Sequence, residues 1–328
     1  MTLRAVSNPS PLHGVIDLGT HSCLLLVGRC DERGELEVAL DLCEIPRLGE
    51  GLAKTGALSE AGMDRALDVL EHFQKRATEL EVASLFLGAT AAMRRAANAD
   101  VMIERVQAEL GLQLTVIGEK EEAELAWLAA TAGLGDNPEG ISVVDVGGGS
   151  TEVVTEGGRK VRSFPLGGLV LTEAFGTGGR EGEAGDWQGL EKAVNEGFQG
   201  LGGACETTVD AKATGLIPLE PRASAGALLV ALGGTACNYG ALSLGLAKFD
   251  HQAPEGIRFP GIQAWKWARE LAALPLESRL QEPIEEGRAP VLPAGLACLG
   301  EVARRLGATS LLVTGRGLRY GFLLKRLL

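Results

Sequence analysis

The chain has 328 residues, 45% of them hydrophobic and 23% charged, with a formal net charge of −12 at pH 7. That length suggests two domains with ample material for a core, which excludes global disorder. The acidic balance argues against a nucleic-acid polymer as partner. Glycine is abundant, with 46 residues gathered in short knots (147–149, 167–168, 178–179, 202–203, 233–234) and no G-X-Y period, so tight turns or backbone-to-ligand loops are expected. Aromatics make up only 4%, too little for base-stacking platforms. Cys23, Cys30, Cys43, Cys205, Cys237 and Cys298 form no C-x-x-C pair, and most sit in apolar runs and read as small core hydrophobes in a reducing compartment. The opening MTLRAVSNPSPLHG lacks the apolar stretch of a signal peptide. The charge-free run 223–247 is interrupted by glycines, so a strand, a glycine turn and a buried helix fit it better than a membrane span. A soluble, cytoplasmic protein with no membrane partner is expected.

In chain order, the apolar runs Leu12–Leu18 and Cys23–Arg29 flank Gly19-Thr20-His21-Ser22 and predict a β-hairpin. A third strand over Glu35–Cys43 follows a polar turn at 31–34. Ser59 is placed to cap a long helix with Met63, Ala66, Leu67, Leu70, Phe73 and Leu80 on one face. Val82–Leu87 reads as a strand and Thr90–Ala97 as a short helix, with Asn98 or Asp100 capping the next one. Leu112–Ile117 is another strand, and Glu119–Ala132 a helix with four glutamates crowded into its first two turns. The turn formers of 133–140 mark a linker, dividing the chain into domains 1–133 and 134–328.

The second half repeats the opening. Val143-Val144-Asp145-Val146-Gly147-Gly148-Gly149-Ser150 lies over Val15-Ile16-Asp17-Leu18-Gly19-Thr20-His21-Ser22 at a constant offset of 128, matching at four of eight positions. A strand over Lys160–Pro165 and helices at Leu169–Phe175 and Trp187–Gly200 follow, with a surface loop between them at 175–185. A buried strand, Ala227–Leu232, ends in Gly233-Gly234-Thr235. Helices at Ile262–Leu274 and Leu292–Leu306, a strand at Ser310–Thr314 and a closing helix from Leu318 complete the domain. Alternation of this kind predicts an α/β fold.

A Gly/Ser/Thr-rich turn between two buried strands offers backbone N–H groups that bind phosphate oxygens, and its missing side chains let the ligand approach. Asp17 and Asp145 end their strands beside such turns, where they could orient magnesium or its waters. Taken alone, Gly147-Gly148-Gly149 would be an ordinary hairpin. Duplicated with the aspartate in register, it points to phosphate binding by Gly19, Thr20, His21 and Ser22 in one half and Gly147, Gly148, Gly149 and Ser150 in the other.

On these residues the chain resembles the superfamily of actin, sugar kinases and heat-shock ATPases. More narrowly it resembles the exopolyphosphatase/guanosine pentaphosphate phosphohydrolase (Ppx/GppA) family. The resemblance rests on VIDLGTHS (15–22), LGEGL (48–52), GATAAMRRAAN (88–98), VIGEKEEAEL (116–125), VVDVGGGSTEVV (143–154), SFPLGGLVLTE (163–173), LGGTA (232–236), GRAPVLPAG (287–295) and GLRYGFLL (317–324). It implies two ribonuclease H-like (actin-like ATPase) domains with an interdomain active-site cleft. It also implies a Mg²⁺-dependent phosphohydrolase that releases terminal orthophosphate from inorganic polyphosphate or from guanosine pentaphosphate. Glu121, in the family's G-x-x-E-E-A segment, would be the catalytic base, with Glu122 beside it and Glu152 a second catalytic carboxylate. Asp145, Asp17 and Glu152 would hold the metal, and Arg94 would hold phosphate through its guanidinium. Without the resemblance, the acidic start of the helix at 119 would read as complementing the helix dipole, and Arg95 as a surface residue. A homodimer is compatible with it.

Several positions depart from the family pattern. Thr20 and His21 replace Ser and Asn, Val170 stands where an arginine is common, Pro290 where an acidic residue is usual and Tyr320 where Glu is usual. Arg288 and Arg319 sit at family positions, with interdomain ion pairing as their alternative role. The chain ends soon after GLRYGFLL, as in the short, two-domain members, so short chains or a nucleotide are expected as the better substrate. The alternative function is a non-catalytic polyphosphate- or nucleotide-binding sensor on the same fold.

Overall fold

The expected opening hairpin forms: β1 (His13–Leu18) pairs antiparallel with β2 (Cys23–Cys30), with Leu18 opposite Cys23 across a four-residue turn. The computed structural model describes residues 10–31, 35–132, 140–179, 185–201 and 228–327. The turn at 32–34, all but the last residue of the linker 133–140, Cys205, the tip of the 175–185 loop and the start of the 223–247 run therefore lie outside the described residues. The chain divides into two compact units, Met1–Ala129 with Leu318–Leu328, and Ala130–Gly317.

In the first unit β3 (Leu36–Glu44) extends the hairpin antiparallel. Then come α1 (Leu52–Thr55), α2 (Glu60–Glu79), β4 (Ser84–Ala89), α3 (Ala91–Arg95), α4 (Ala99–Leu110), β5 (Leu114–Val116) and α5 (Glu119–Thr131). Helix α2 starts where its cap predicts, the Ser59 hydroxyl accepting from the Gly62 N–H, and Met63, Ala66, Leu67, Leu70 and Phe73 are buried on one face. Asn98 precedes α4 but does not cap it with its side chain. Its amide instead accepts from the Leu58 N–H at 2.8 Å and donates to the Leu58 carbonyl at 3.0 Å, bonding that segment as a strand would. The sheet order is β3-β2-β1-β4-β5, with β1, β4 and β5 parallel.

The second unit contains β6 (Ile141–Val146), β7 (Thr151–Thr155), β8 (Lys160–Phe164), α6 (Gly168–Phe175), α7 (Trp187–Gly197), β9 (Leu228–Leu232) and α8 (Gly233–Leu244). β10 (Arg258–Pro260), α9 (Gln263–Ala272), α10 (Leu276–Arg279), α11 (Leu292–Arg305) and β11 (Ser310–Thr314) follow. Its sheet order is β10-β11-β9-β6-β7-β8, in which β6, β9 and β11 are parallel. Read from β8, the order is an antiparallel meander followed by two parallel strands, as in the first unit, with β10 added antiparallel at the edge. The two halves of related topology expected from the internal repeat are thus present, in the ribonuclease H-like order that the resemblance implied. Helix α11 runs through the core of this unit, every residue from Leu292 to Ala303 being buried.

Sequence order assigned the closing helix to the second half, but it belongs to the first unit. Helix α12 (Leu318–Leu327) buries Leu318, Phe322 and Leu323 against Val15, Leu26, Ile117 and Leu125. Among the described residues no helix is long and apolar enough to cross a membrane.

Candidate active site

Each sheet gathers its chemistry-bearing residues at the carboxyl ends of its parallel strands, the edge where open α/β sheets place their ligands. In the first unit β1 runs into the 19–22 turn, β4 into α3 with Arg94, and β5 into α5 with Glu121 and Glu122. In the second unit β6 runs into the 147–150 turn and β9 directly into Gly233-Gly234-Thr235 at the start of α8.

The two turns are built alike. The Gly19 N–H donates to the Ser22 carbonyl and the Gly147 N–H to the Ser150 carbonyl, both at 2.9 Å. A side chain is disfavoured at the first position of each, since an added Cβ would lie 2.9 Å from the Ser22 oxygen, closer than real Cβ contacts come, and a tight 3.3 Å from that of Ser150. Their supports differ. The first turn is backed by the 47–49 segment, where the Arg47 N–H donates to the His21 carbonyl at 3.0 Å and the Gly49 N–H to the Thr20 carbonyl at 2.8 Å. Thr20 and His21 are both buried there. The second turn is backed by the N-terminus of α6, whose Gly168, Leu169 and Val170 N–H groups donate to the Gly147 and Gly148 carbonyls at 2.9, 3.0 and 3.2 Å. Those turn carbonyls satisfy helix N–H groups that would otherwise lack acceptors.

Asp17 is buried at the end of β1, opposite Leu24 on β2 and Gly88 on β4. Asp145 stands opposite Glu152 in the β6–β7 register, so the two carboxylates share one face of the hairpin beside the turn. The Ser163 hydroxyl, on β8, donates to Glu152 Oε1 at 2.9 Å, and Glu152 is only 3% exposed. Asp145 lies against Gly233, whose φ is +74°; an added Cβ there would come 3.1 Å from Asp145 Oδ1. The Thr235 hydroxyl donates to the Val146 carbonyl at 3.0 Å and pins the start of α8 to the end of β6.

Among the described residues no three His, Cys, Asp or Glu side chains are grouped to hold a metal ion by themselves. The Asp145–Glu152 pair is nevertheless a fitting donor set for Mg²⁺, which takes hard oxygens, keeps several waters and binds through one or two carboxylates plus substrate phosphate. Asp17, facing Leu24 where the second unit has Glu152, brings one carboxylate to its own turn.

The adjacent glutamates of α5 diverge. Glu122 is buried and takes Arg94 Nη1 at 2.6 Å, and the same Nη1 reaches the Ile117 carbonyl at 2.7 Å. Glu121 has a side chain 43% exposed and pairs with Lys325 Nζ of α12 at 2.8 Å. Arg94 is aligned by Glu122, so the arginine that the resemblance assigned to phosphate is ion-paired to the glutamate that follows Glu121 in α5. Arg95 is exposed. Arg288 and Arg319 each form an ion pair inside their own unit. Arg288 binds Glu285 by its Nε and stacks over Gly234, where an added Cβ would collide with its guanidinium at 2.0 Å. Arg319 forks onto Asp41 at 2.7 and 2.8 Å within the first unit. Burial opposes the Arg319 charge, yet the Asp41 carboxylate more than offsets it and holds the guanidinium above its usual pKa.

Sequence reasoning missed Lys325, the 47–49 backing segment and Gly167. The last is wedged so tightly that an added Cβ would lie 2.5 Å from the Gly148 carbonyl group. Gly167 and the 48–52 segment fall inside motifs already noted; Lys325 carries no local signal.

Comparison with known proteins bears on this arrangement. The model of the Ppx/GppA phosphatase family matches residues 29–216. The guanosine-5'-triphosphate,3'-diphosphate pyrophosphatase of Aliivibrio fischeri is 33% identical over 172 residues, which is 52% of this chain and 34% of that protein. The chain thus spans about a third of the length of that curated relative. The crystal structure of the Aquifex aeolicus PPX-GPPA enzyme is 29% identical, with a TM-score of 0.71 over 96% of this chain and 99% of that one. An exopolyphosphatase from Cytophaga hutchinsonii, 22% identical, shares the fold, with a TM-score of 0.79 over 96% of this chain and 97% of its own.

Proposed function

The chain belongs to the Ppx/GppA phosphatase family, and from that premise we propose that it hydrolyses phosphoanhydrides, releasing terminal orthophosphate from inorganic polyphosphate or from guanosine pentaphosphate. The observation that carries this reading is the pair of four-residue turns. They share a length, a backbone hydrogen bond and a preceding aspartate, and each lies at the carboxyl edge of its sheet. Hydrolysis of a phosphoanhydride requires positioning, charge neutralisation and an oriented water.

In this reading the N–H groups of 20–22 and of 148–150 take phosphate oxygens, those of Gly19 and Gly147 being spent on closing their turns. Glu121, the more open of the two adjacent glutamates, accepts a proton from the water as its oxygen bonds to the terminal phosphorus. The bond from that phosphorus to the bridging oxygen breaks, and the shortened chain leaves as a phosphate oxyanion. Arg94, aligned by Glu122, neutralises charge on the transferred group. Mg²⁺, held in the second unit by Asp145 and Glu152, would supply Lewis-acid neutralisation of phosphate charge, and Asp17 would bring a carboxylate to the first turn. Glu152 is fixed for that purpose by the Ser163 hydroxyl.

The test is orthophosphate release by the purified chain from guanosine pentaphosphate, tripolyphosphate, long polyphosphate and ATP, with Mg²⁺ and with EDTA. Release from guanosine pentaphosphate or polyphosphate that EDTA abolishes is the expected result, and the order of rates names the substrate. No release from any of the four, with binding retained, would overturn the hydrolase in favour of a sensor.

A further inference from the structure

Resting on the reading of Glu121 as general base, we propose that Lys325 is a positioning residue that aims it. Lys325 follows Glu121 by 204 positions in the chain, yet its Nζ lies 2.8 Å from Glu121 Oε1. An exposed lysine–glutamate pair on mobile supports contributes little, because ordering two long side chains cancels the Coulomb gain. Here both supports are fixed. Helix α12 lies flush on α5, so close that a Cβ on Gly321 would sit 2.2 Å from the Leu125 carbonyl oxygen. Arg319 forks onto Asp41, and the Tyr320 hydroxyl donates to the same carboxylate at 3.1 Å. Phe322 packs edge-on against Phe86 with ring centroids 5.2 Å apart, and the Arg326 guanidinium covers the Phe86 ring at 3.8 Å. Only the lysine side chain itself remains to be ordered.

The remaining charges on these helices are engaged elsewhere. On α5, Lys120 faces Glu124 at 3.7 Å and Glu122 is taken by Arg94 of α3. Glu119 adds a further negative charge at the start of α5. On α12, Arg319 is spent on Asp41 and Arg326 on Phe86. Among the described residues, Lys325 is therefore the cation that meets Glu121. Contact at Oε1 leaves Oε2 as the oxygen offered to water. Helix α12 thus completes the first unit's share of the site, whose other parts follow strand ends in the first 131 residues.

The test compares wild type, Lys325→Met, Lys325→Arg, Glu121→Gln and the Glu121→Gln/Lys325→Met double variant in orthophosphate release from guanosine pentaphosphate and tripolyphosphate. Lys325→Met should lower kcat about fivefold with KM within about twofold. A merely structural lysine would not split kcat from KM in this way. Lys325→Arg should recover most of the rate, and Lys325→Met should add nothing in the Glu121→Gln background. Unchanged kcat, or an effect on KM alone, would overturn the positioning role while leaving the base intact. Wild-type turnover by Glu121→Gln would instead remove the base reading, and the inference with it.

Discussion

Gly167 shows how much of this site depends on single backbone positions. A methyl group there would press on the Gly148 and Gly149 backbone at 2.5 and 2.7 Å, and neither can swing aside as a flexible side chain would. Gly167→Ala should destabilise the protein by about 1–3 kcal/mol, read as a lower Tm, and should lower phosphate release by displacing the turn. A variant with unaltered Tm and rate would show that the turn is not held as described. The departures from the family pattern also find partners here. Val170 reaches the turn through its backbone N–H, which any side chain permits. Tyr320 donates to Asp41, where a glutamate would place a second carboxylate against the first. The turns and their aspartates were legible because each lies within eight consecutive residues. The Arg94–Glu122 and Glu121–Lys325 pairs, separated by 28 and 204 positions, depend on packing that no local pattern encodes.

Among the elements, long and periodic ones were legible: α2 begins at its predicted cap, and the two hairpins fall where the repeat puts them. Strand β4 is shifted from the apolar run 82–87 to Ser84–Ala89 because parallel pairing with β1 sets its limits, His13 opposite Ser84 and Leu18 opposite Ala89. β10 and α10, three and four residues long, are too short to show a period, and β10 ends in Pro260, which suits an edge strand. Helix α12 was found but assigned to the wrong unit, since chain order says nothing about which core an apolar face will meet. Its attachment predicts a measurable cost. Arg319→Met leaves Asp41 without its forked partner and should lower stability by about 2–3 kcal/mol, seen as a lower urea midpoint. An unchanged midpoint would mean that α12 is held by its apolar face alone.

At the scale of the whole molecule, two units with the same strand order each carry a phosphate turn, but only the second adds a carboxylate opposite its aspartate. On the proposed function, that asymmetry favours Asp145 and Glu152 as the Mg²⁺ donors. A net charge of −12 repels a polyanion at long range, so the proposed binding would rest on Arg94, main-chain donors and the metal. With Mg²⁺ saturating, KM for the anionic substrate should fall or hold steady as salt rises from roughly 0.02 to 0.15 M, because screening weakens the repulsion. A steep rise in KM would instead reveal a basic binding surface. The most direct test of the account is the turnover of Glu121→Gln beside wild type on guanosine pentaphosphate at saturating Mg²⁺. The account predicts a loss of about 100-fold or more in kcat with substrate binding retained; turnover at the wild-type rate would contradict it.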